Sequence, residues 1–118
     1  MDLKNFIRTL SLKDKKTLSQ KALKTCEEVG ELAKVILPFD SATGTNHRFA
    51  SRENILEEIC DVYLSIVSIA HELNISDEEF GTMLEKKCYK WNSIQNKETS
   101  SPFPLPFEIH ITVALEKQ

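Results

Sequence analysis

Carboxylates recur at helical spacing in two short stretches of this sequence. They belong to the segments Glu-Glu-Val-Gly-Glu, residues 27–31, and Glu-Glu-Ile-Cys-Asp, residues 57–61. Side chains three or four positions apart share one face of a helix, so Glu28 is predicted to project together with Glu31. The same spacing pairs Glu58 with Asp61. Glu27 and Glu57 would flank these faces, so each stretch predicts one acidic helix face.

The chemistry of these faces depends on whether they are solvated. Glutamate clusters on helices are usually solvated outer faces. Here Asp61 lies between Cys60 and Val62 in an apolar segment, and Glu31 directly precedes a run of apolar residues. No arginine occurs within four residues of either stretch to neutralise the carboxylates. Since a partly buried charge is costly without a partner, a hard cation is the expected partner.

Packing of the two helices side by side would bring four carboxylates into one small volume. Two unit charges ~4 Å apart repel by about 4 kcal/mol at an effective dielectric constant of about 20. Oxygen ligands favour Mg²⁺, Mn²⁺ or Ca²⁺ over zinc. Because Mg²⁺ commonly binds together with substrate phosphates, the pattern favours phosphate-ester or phosphoanhydride chemistry.

Four helices are predicted to position these residues, because apolar side chains recur every three or four positions in four segments. Their approximate bounds are 3–11, 14–37, 52–73 and 76–96. Pro38 is expected to end the second helix, Ser51 to cap the third, and Ser76 with Glu79 to open the fourth. The apolar stripe of the second helix includes Leu18, Ala22, Cys26, Val29, Ala33 and Ile36. The third helix is so apolar that we expect it to be buried on most sides.

The bulk composition limits the class of protein. A chain of 118 residues can form one core, and its net charge of −3 with interspersed signs makes nucleic-acid binding unlikely. No apolar stretch is long enough for a membrane span, and the N-terminus lacks signal-peptide features, so a cytoplasmic location is expected. The three cysteines, Cys26, Cys60 and Cys88, have no C-x-x-C spacing and predict neither a disulfide framework nor a zinc site.

The C-terminal residues predict a different kind of element. We expect residues 1–97 to form the helical domain and residues 98–118 to form a proline-containing linker and a strand-like tail. Within the tail, His110 and Thr112 resemble the first H-x-T strand of two-histidine phosphoesterases, but a second such motif is missing. The tail would then be a fragment of a longer protein or a strand that pairs across an oligomer.

The two acidic stretches resemble the E-E-x-x-E and E-x-x-D motifs of the MazG-like all-α nucleoside triphosphate pyrophosphohydrolases. This family includes dCTP pyrophosphatases, dimeric dUTPases and phosphoribosyl-ATP pyrophosphohydrolases. The neighbouring words Glu-Val-Gly-Glu-Leu-Ala, residues 28–33, and Leu-Glu-Glu-Ile-Cys-Asp-Val, residues 56–62, also resemble the family. The resemblance extends from about Leu18 to Trp91 and implies a bundle of four helices.

The resemblance also implies roles for particular residues. The implied ligands of Mg²⁺, with Mn²⁺ as a substitute, are Glu28, Glu31, Glu58 and Asp61, and Glu27 would hold or deprotonate the attacking water. Lys87 and Lys90 fit the lysines of the family's K-x-x-K-N motif and would contact phosphates, although a solvated basic face is an equal alternative. Trp91 stands where that motif has asparagine, and would stack on a base or belong to the core. The loop residues Asn46, His47 and Arg48 could reach the substrate, although such loop residues are usually solvated.

The activity implied by the resemblance is hydrolysis of a nucleoside triphosphate to NMP and pyrophosphate, by a homodimer or homotetramer. One alternative is hydrolysis of another phosphoanhydride, such as phosphoribosyl-ATP. A second alternative, of a different class, is a non-catalytic helical assembly module that keeps its carboxylates as a metal clip. The sequence does not identify the base or the sugar.

Overall fold

Four α-helices form in the described part of the chain, which comprises residues 1–44 and 50–98 of a computed structural model. They are α1 (Leu3–Lys13), α2 (Leu18–Phe39), α3 (Arg52–Glu72) and α4 (Asp77–Glu98). No strand occurs among these residues, so the predicted all-α class is confirmed. The described residues also include no helix that is both long and apolar enough to span a membrane.

Capping side chains determine where α2 and α3 begin. The Thr17 hydroxyl accepts the backbone N–H of Gln20 at 3.2 Å, and the Gln20 side chain accepts the backbone N–H of Thr17 at 2.9 Å. Ser51 and Asn54 form the same reciprocal pair at the start of α3. Each pair satisfies two backbone donors that the first turn leaves free. The predicted cap at Ser51 is confirmed, whereas α2 begins four residues later than Asp14.

Pro38 does not end α2, contrary to the prediction, and lies inside its last turn. The helix ends instead where Ser41 adopts a left-handed backbone with φ 56°. The N–H of Ser41 bonds to the Pro38 carbonyl, and the N–H of Ala42 bonds to the Leu37 carbonyl. This is the Schellman pattern, which satisfies the last carbonyls of a helix. Pro38 has no N–H to donate to the preceding turn, and the helix continues past it through the bond from the Asp40 N–H to the Ile36 carbonyl.

The chain divides into two compact units, Met1–Ser76 and the residues from Asp77 onwards. In the first unit, α3 contacts both α1 and α2. Lys21 near the start of α2 lies 3.0 Å from Glu72 at the end of α3. Farther along α2, Glu28 meets Glu58 in the first half of α3. The two helices therefore run antiparallel.

A buried polar network connects the three helices of the first unit. The Lys21 side chain is only 4% exposed, and its ammonium group donates to the carbonyls of Ser11 at 3.3 Å and Ser68 at 3.5 Å. The Ser11 hydroxyl donates to the Ile7 carbonyl at 2.8 Å and lies 3.0 Å from Nδ1 of His71. Lys21 thus links the end of α1 to the last turns of α3.

The apolar stripe predicted for α2 is not the face that packs in this unit. All six members of that stripe are exposed, including Val29 at 48% and Ile36 at 39%. The more covered face instead carries Lys21, Thr25, Glu28, Leu32 and Val35. The prediction that α3 is buried on most sides is also wrong, because Ala70 is its one buried residue. Leu56 and Tyr63 are more than half exposed.

The second unit contributes α4 to the described residues. Its first turn carries Asp77, Glu78 and Glu79, and its last turn carries Lys97. Acidic residues at the N-terminus and a basic residue at the C-terminus stabilise a helix through its dipole. The helix extends two residues beyond the predicted end at Asn96.

Candidate metal centre

Three carboxylates converge between α2 and α3 in the first unit. Glu28, Glu58 and Asp61 each offer one oxygen, and these oxygens lie within 4.8 Å of one another. The i, i+3 spacing puts Glu58 and Asp61 on one face of α3. The antiparallel neighbour α2 supplies Glu28 from the opposite side. We call this group the acidic triad.

The three side chains of the triad differ in burial. The Glu28 side chain is 13% exposed, Glu58 is partly buried, and Asp61 is exposed. Loss of solvent raises the pKa of Glu58 above its usual value of 4.5. Repulsion from Asp61, Glu31 and Glu28 raises the pKa further, in that order of size. A nearby positive charge would therefore stabilise the ionised form of Glu58.

Glu31 is near the triad without belonging to it. Its carboxylate is exposed and does not join the three oxygens that lie within 4.8 Å of one another. Its repulsion of Glu58 nevertheless shows that it lies within electrostatic range. The structure thus brings together three of the four predicted ligands, with Glu31 at the edge.

The donor set of the triad suits a hard divalent cation. All three donors are carboxylate oxygens, the ligands that Mg²⁺, Mn²⁺ and Ca²⁺ prefer. Opposite oxygens around Mg²⁺ are about 4.2 Å apart, because each Mg–O bond is about 2.1 Å long. The oxygens of the triad lie within 4.8 Å of one another, so small side-chain rotations would suffice for joint coordination.

Lys24 is the site residue that the sequence reasoning missed. Its ammonium group lies 2.9 Å from the Glu28 carboxylate and 3.6 Å from the Glu27 carboxylate. The hydrogen bond to Glu28, followed by the charges of Glu27 and Glu28, raises the pKa of Lys24. The signal was present in the sequence, because Lys24 precedes Glu28 by four residues on a predicted helix. Counting only arginines as neutralising groups overlooked it.

The remaining predicted site residues are not members of the acidic triad. Glu27 is exposed and shares Lys24 with Glu28. Lys87, Lys90 and Trp91 lie on α4 in the second unit, and all three are exposed. Asn46, His47 and Arg48 lie outside the described residues, and so do the tail residues His110 and Thr112. Cys26 and Cys60 are exposed, whereas Cys88 is partly covered.

Comparison with known proteins gave no relative for this chain. No protein-family model matches it, and neither a curated protein nor a solved structure matches it significantly. The resemblance to MazG-like enzymes therefore stays a prediction. The function has to be argued from the residues and their geometry.

Proposed function

We propose that this protein is a Mg²⁺-dependent pyrophosphohydrolase of the MazG-like kind, which hydrolyses a nucleoside triphosphate to NMP and pyrophosphate. The observation that carries the proposal is the convergence of Glu28, Glu58 and Asp61 from two antiparallel helices. Their oxygens match the preference of Mg²⁺, and Mg²⁺ in proteins is commonly bound together with substrate phosphates. Mn²⁺ would substitute for Mg²⁺ because it accepts the same ligands.

Charge balance supports a requirement for the cation. A triphosphate is strongly anionic, and the triad with Glu27 and Glu31 would repel it. A bound divalent cation would offset both sets of charges and make an attacking water more acidic. Desolvation, followed by repulsion from Asp61, Glu31 and Glu28, raises the pKa of Glu58, so a bound cation would favour its ionised form.

A carboxylate beside the triad would take a proton from the attacking water. Glu27 is exposed and could accept a proton from water as the water attacks the α-phosphorus. The bond between the α-phosphorus and the bridging oxygen would break, which releases pyrophosphate and leaves NMP. In this scheme Glu31, at the edge of the triad, would add a fourth carboxylate. We also propose that the active form is a homodimer or homotetramer, which the exposed apolar stripe of α2 supports.

The test combines a substrate panel with one variant. Canonical and damaged NTPs and dNTPs, together with phosphoribosyl-ATP, should be incubated with the full chain and Mg²⁺ while pyrophosphate is detected. We expect NMP and pyrophosphate without NDP. The change Glu58→Gln should lower turnover by at least about a hundredfold, because it removes a ligand without changing side-chain volume. Glu53→Gln, on the same helix but outside the triad, is the matched control.

Two results would contradict the proposal. Release of NDP with phosphate would mean attack at the γ-phosphorus, and full activity of the Glu58→Gln variant would remove Glu58 from the site. Turnover of phosphoribosyl-ATP alone would favour the sibling phosphoanhydride hydrolase. Mg²⁺ binding without turnover of any substrate would favour the non-catalytic assembly module.

A further inference from the structure

A cleft with a volume of about 180 Å³ opens in the first unit between α2, α3 and the link that precedes α2. Its polar lining residues are Asp14, Lys16, Lys21, Lys24, Ser65 and Ser68. A water molecule takes about 30 Å³ in the liquid, so the cleft has room for a small polyatomic anion. We call it the lysine cleft.

The lysine cleft begins about one helical turn from the acidic triad on both α2 and α3. On α2, Lys24 comes one turn before Glu28, and on α3, Ser65 comes one turn after Asp61. Four residues of helix span about 6 Å. One triphosphate chain is long enough to reach from the triad into the cleft.

The three lysines of the cleft differ in how tightly their ammonium groups are held. Lys21 is 4% exposed and is fixed by Glu72 and by two backbone carbonyls. Lys16 is 47% exposed and lies 3.3 Å from Asp14. Lys24 is 41% exposed, and its closest partner is Glu28, a member of the triad. Lys16 can therefore turn at little cost, whereas Lys24 can turn only when it leaves Glu28.

One buried hydroxyl group in this region has no partner. Ser68 lines the cleft, and within the described part of the chain its Oγ is buried without a hydrogen bond. A buried hydroxyl without a hydrogen-bond partner is unfavourable. A phosphate oxygen that enters the cleft would provide an acceptor for it.

We propose that the lysine cleft binds the terminal phosphates of the substrate and that Lys24 engages them when a divalent cation occupies the triad. This inference rests on the proposed function. The cation would take the Glu28 carboxylate that now holds Lys24, and its charge would repel the ammonium group. Lys24 and Lys16 would then face the phosphates from the two sides of the cleft.

If the cation replaces Lys24 at Glu28, cation binding and phosphate binding are thermodynamically coupled. Before cation binding, each lysine of the cleft is matched by a carboxylate, so an anion gains little there. After cation binding, the same region has two additional positive charges. Cation binding at the triad and phosphate binding in the cleft should therefore strengthen each other by the same factor.

The experiment is calorimetric titration of the full chain with inorganic phosphate, a probe that complexes free Mg²⁺ only weakly. We expect phosphate to bind about tenfold more tightly in saturating Mg²⁺ than in chelator, within the usual range of coupling. Lys24→Gln should remove most of that gain. The same change should leave Mg²⁺ affinity unchanged or tighter, because it removes the ammonium group that competes for Glu28.

A second variant and a control distinguish loss of phosphate binding from loss of folding. Lys16→Gln should weaken phosphate binding in both conditions, because Lys16 has no partner in the triad. Lys34→Gln makes the same charge change on α2 away from the cleft and should leave both affinities as in the wild type. Far-UV circular dichroism should show the same helical content for all four proteins.

Two outcomes would overturn the inference while leaving the proposed function intact. The first is a phosphate affinity that is equal with and without Mg²⁺ although Mg²⁺ itself binds. The second is an unchanged Mg²⁺-dependent gain in Lys24→Gln, which would mean that phosphate binds the cation directly. Failure of Mg²⁺ to bind at all would refute the proposed function and the linkage together.

Discussion

Glu58 combines partial burial with four acidic neighbours, and this combination has a consequence for stability. Its pKa in the folded chain lies above the usual value of 4.5 because of desolvation and of repulsion by Asp61, Glu31 and Glu28. The folded state therefore binds a proton at this carboxyl group more readily than the unfolded state does. Stability must then fall as the pH rises from the unfolded-state pKa through the folded-state pKa.

We predict that the free energy of unfolding of the wild type in chelator decreases as the pH rises through and above 4.5. The decrease should be smaller for the Glu58→Gln variant. The variant lacks the titrating group and therefore loses this part of the pH dependence. Asp61→Asn should reduce the effect only in part, since it removes one of several causes. Urea denaturation from pH 4 to pH 7 measures the difference. Parallel pH profiles for wild type and Glu58→Gln would contradict the raised pKa.

Lys24 shows why a residue can matter without belonging to a motif. It binds Glu28 across one turn of α2, and it lines the lysine cleft. The sequence predicted a metal ion as the partner of these carboxylates. The structure supplies an ammonium group as well, so metal binding at Glu28 has to compete with it.

At the scale of the helices, the buried Lys21 joins α1, α2 and α3 through contacts with Ser11, Ser68 and Glu72. An ammonium group is expensive to bury unless its hydrogen bonds are satisfied, and here all three partners are oxygens. The contacts of Lys21 lie at the end of the α2–α3 pair where α2 begins and α3 ends. They hold the register that brings Glu28 to Glu58 and Asp61.

We predict that Lys21→Ala lowers the free energy of unfolding by about 2 kcal/mol, because it deprives two carbonyls of a buried donor and removes a packed side chain. Lys21→Met should be less damaging, since methionine fills a similar volume. The exposed Lys15→Ala control should change stability by less than about 0.5 kcal/mol. Urea denaturation measures all three. A Lys21→Ala variant as stable as the wild type would show that the link is dispensable.

The whole molecule exposes large apolar side chains on each of the four described helices. Leu12 on α1, Leu23 on α2, Leu56 on α3 and Trp91 on α4 are all more than half exposed. Isolated exposed apolar residues are normal, but a stripe along one helix indicates an interaction surface. The residues of the stripe from Leu18 to Ile36 on α2 are all exposed.

We therefore predict that the full chain self-associates, with a solution mass of two or four times 13.5 kDa. Burial of apolar surface between copies provides the free energy, at roughly 25 cal/mol per Å². Light scattering coupled to size-exclusion chromatography, at several protein concentrations, measures the mass. A mass of 13.5 kDa at every concentration would rule out the association.

The sequence by itself determined the helices and the presence of the acidic faces, because both depend on local spacing. A 3.6-residue period and caps such as Ser51 specify where the chain becomes helical, whatever lies nearby. The i, i+3 pair of Glu58 and Asp61 needs only one helix. Pro38 was expected to end α2, but the helix continues through it to Phe39 and is closed by the backbone hydrogen bonds of Ser41 and Ala42.

Only the tertiary structure decided which residues meet between the helices. The antiparallel register of α2 and α3 selects Glu28 for the triad and leaves Glu31 at its edge. It also buries Lys21 while the apolar stripe of α2 stays exposed. These outcomes depend on contacts between residues more than 25 positions apart, and the periodicity of a single helix does not specify such contacts.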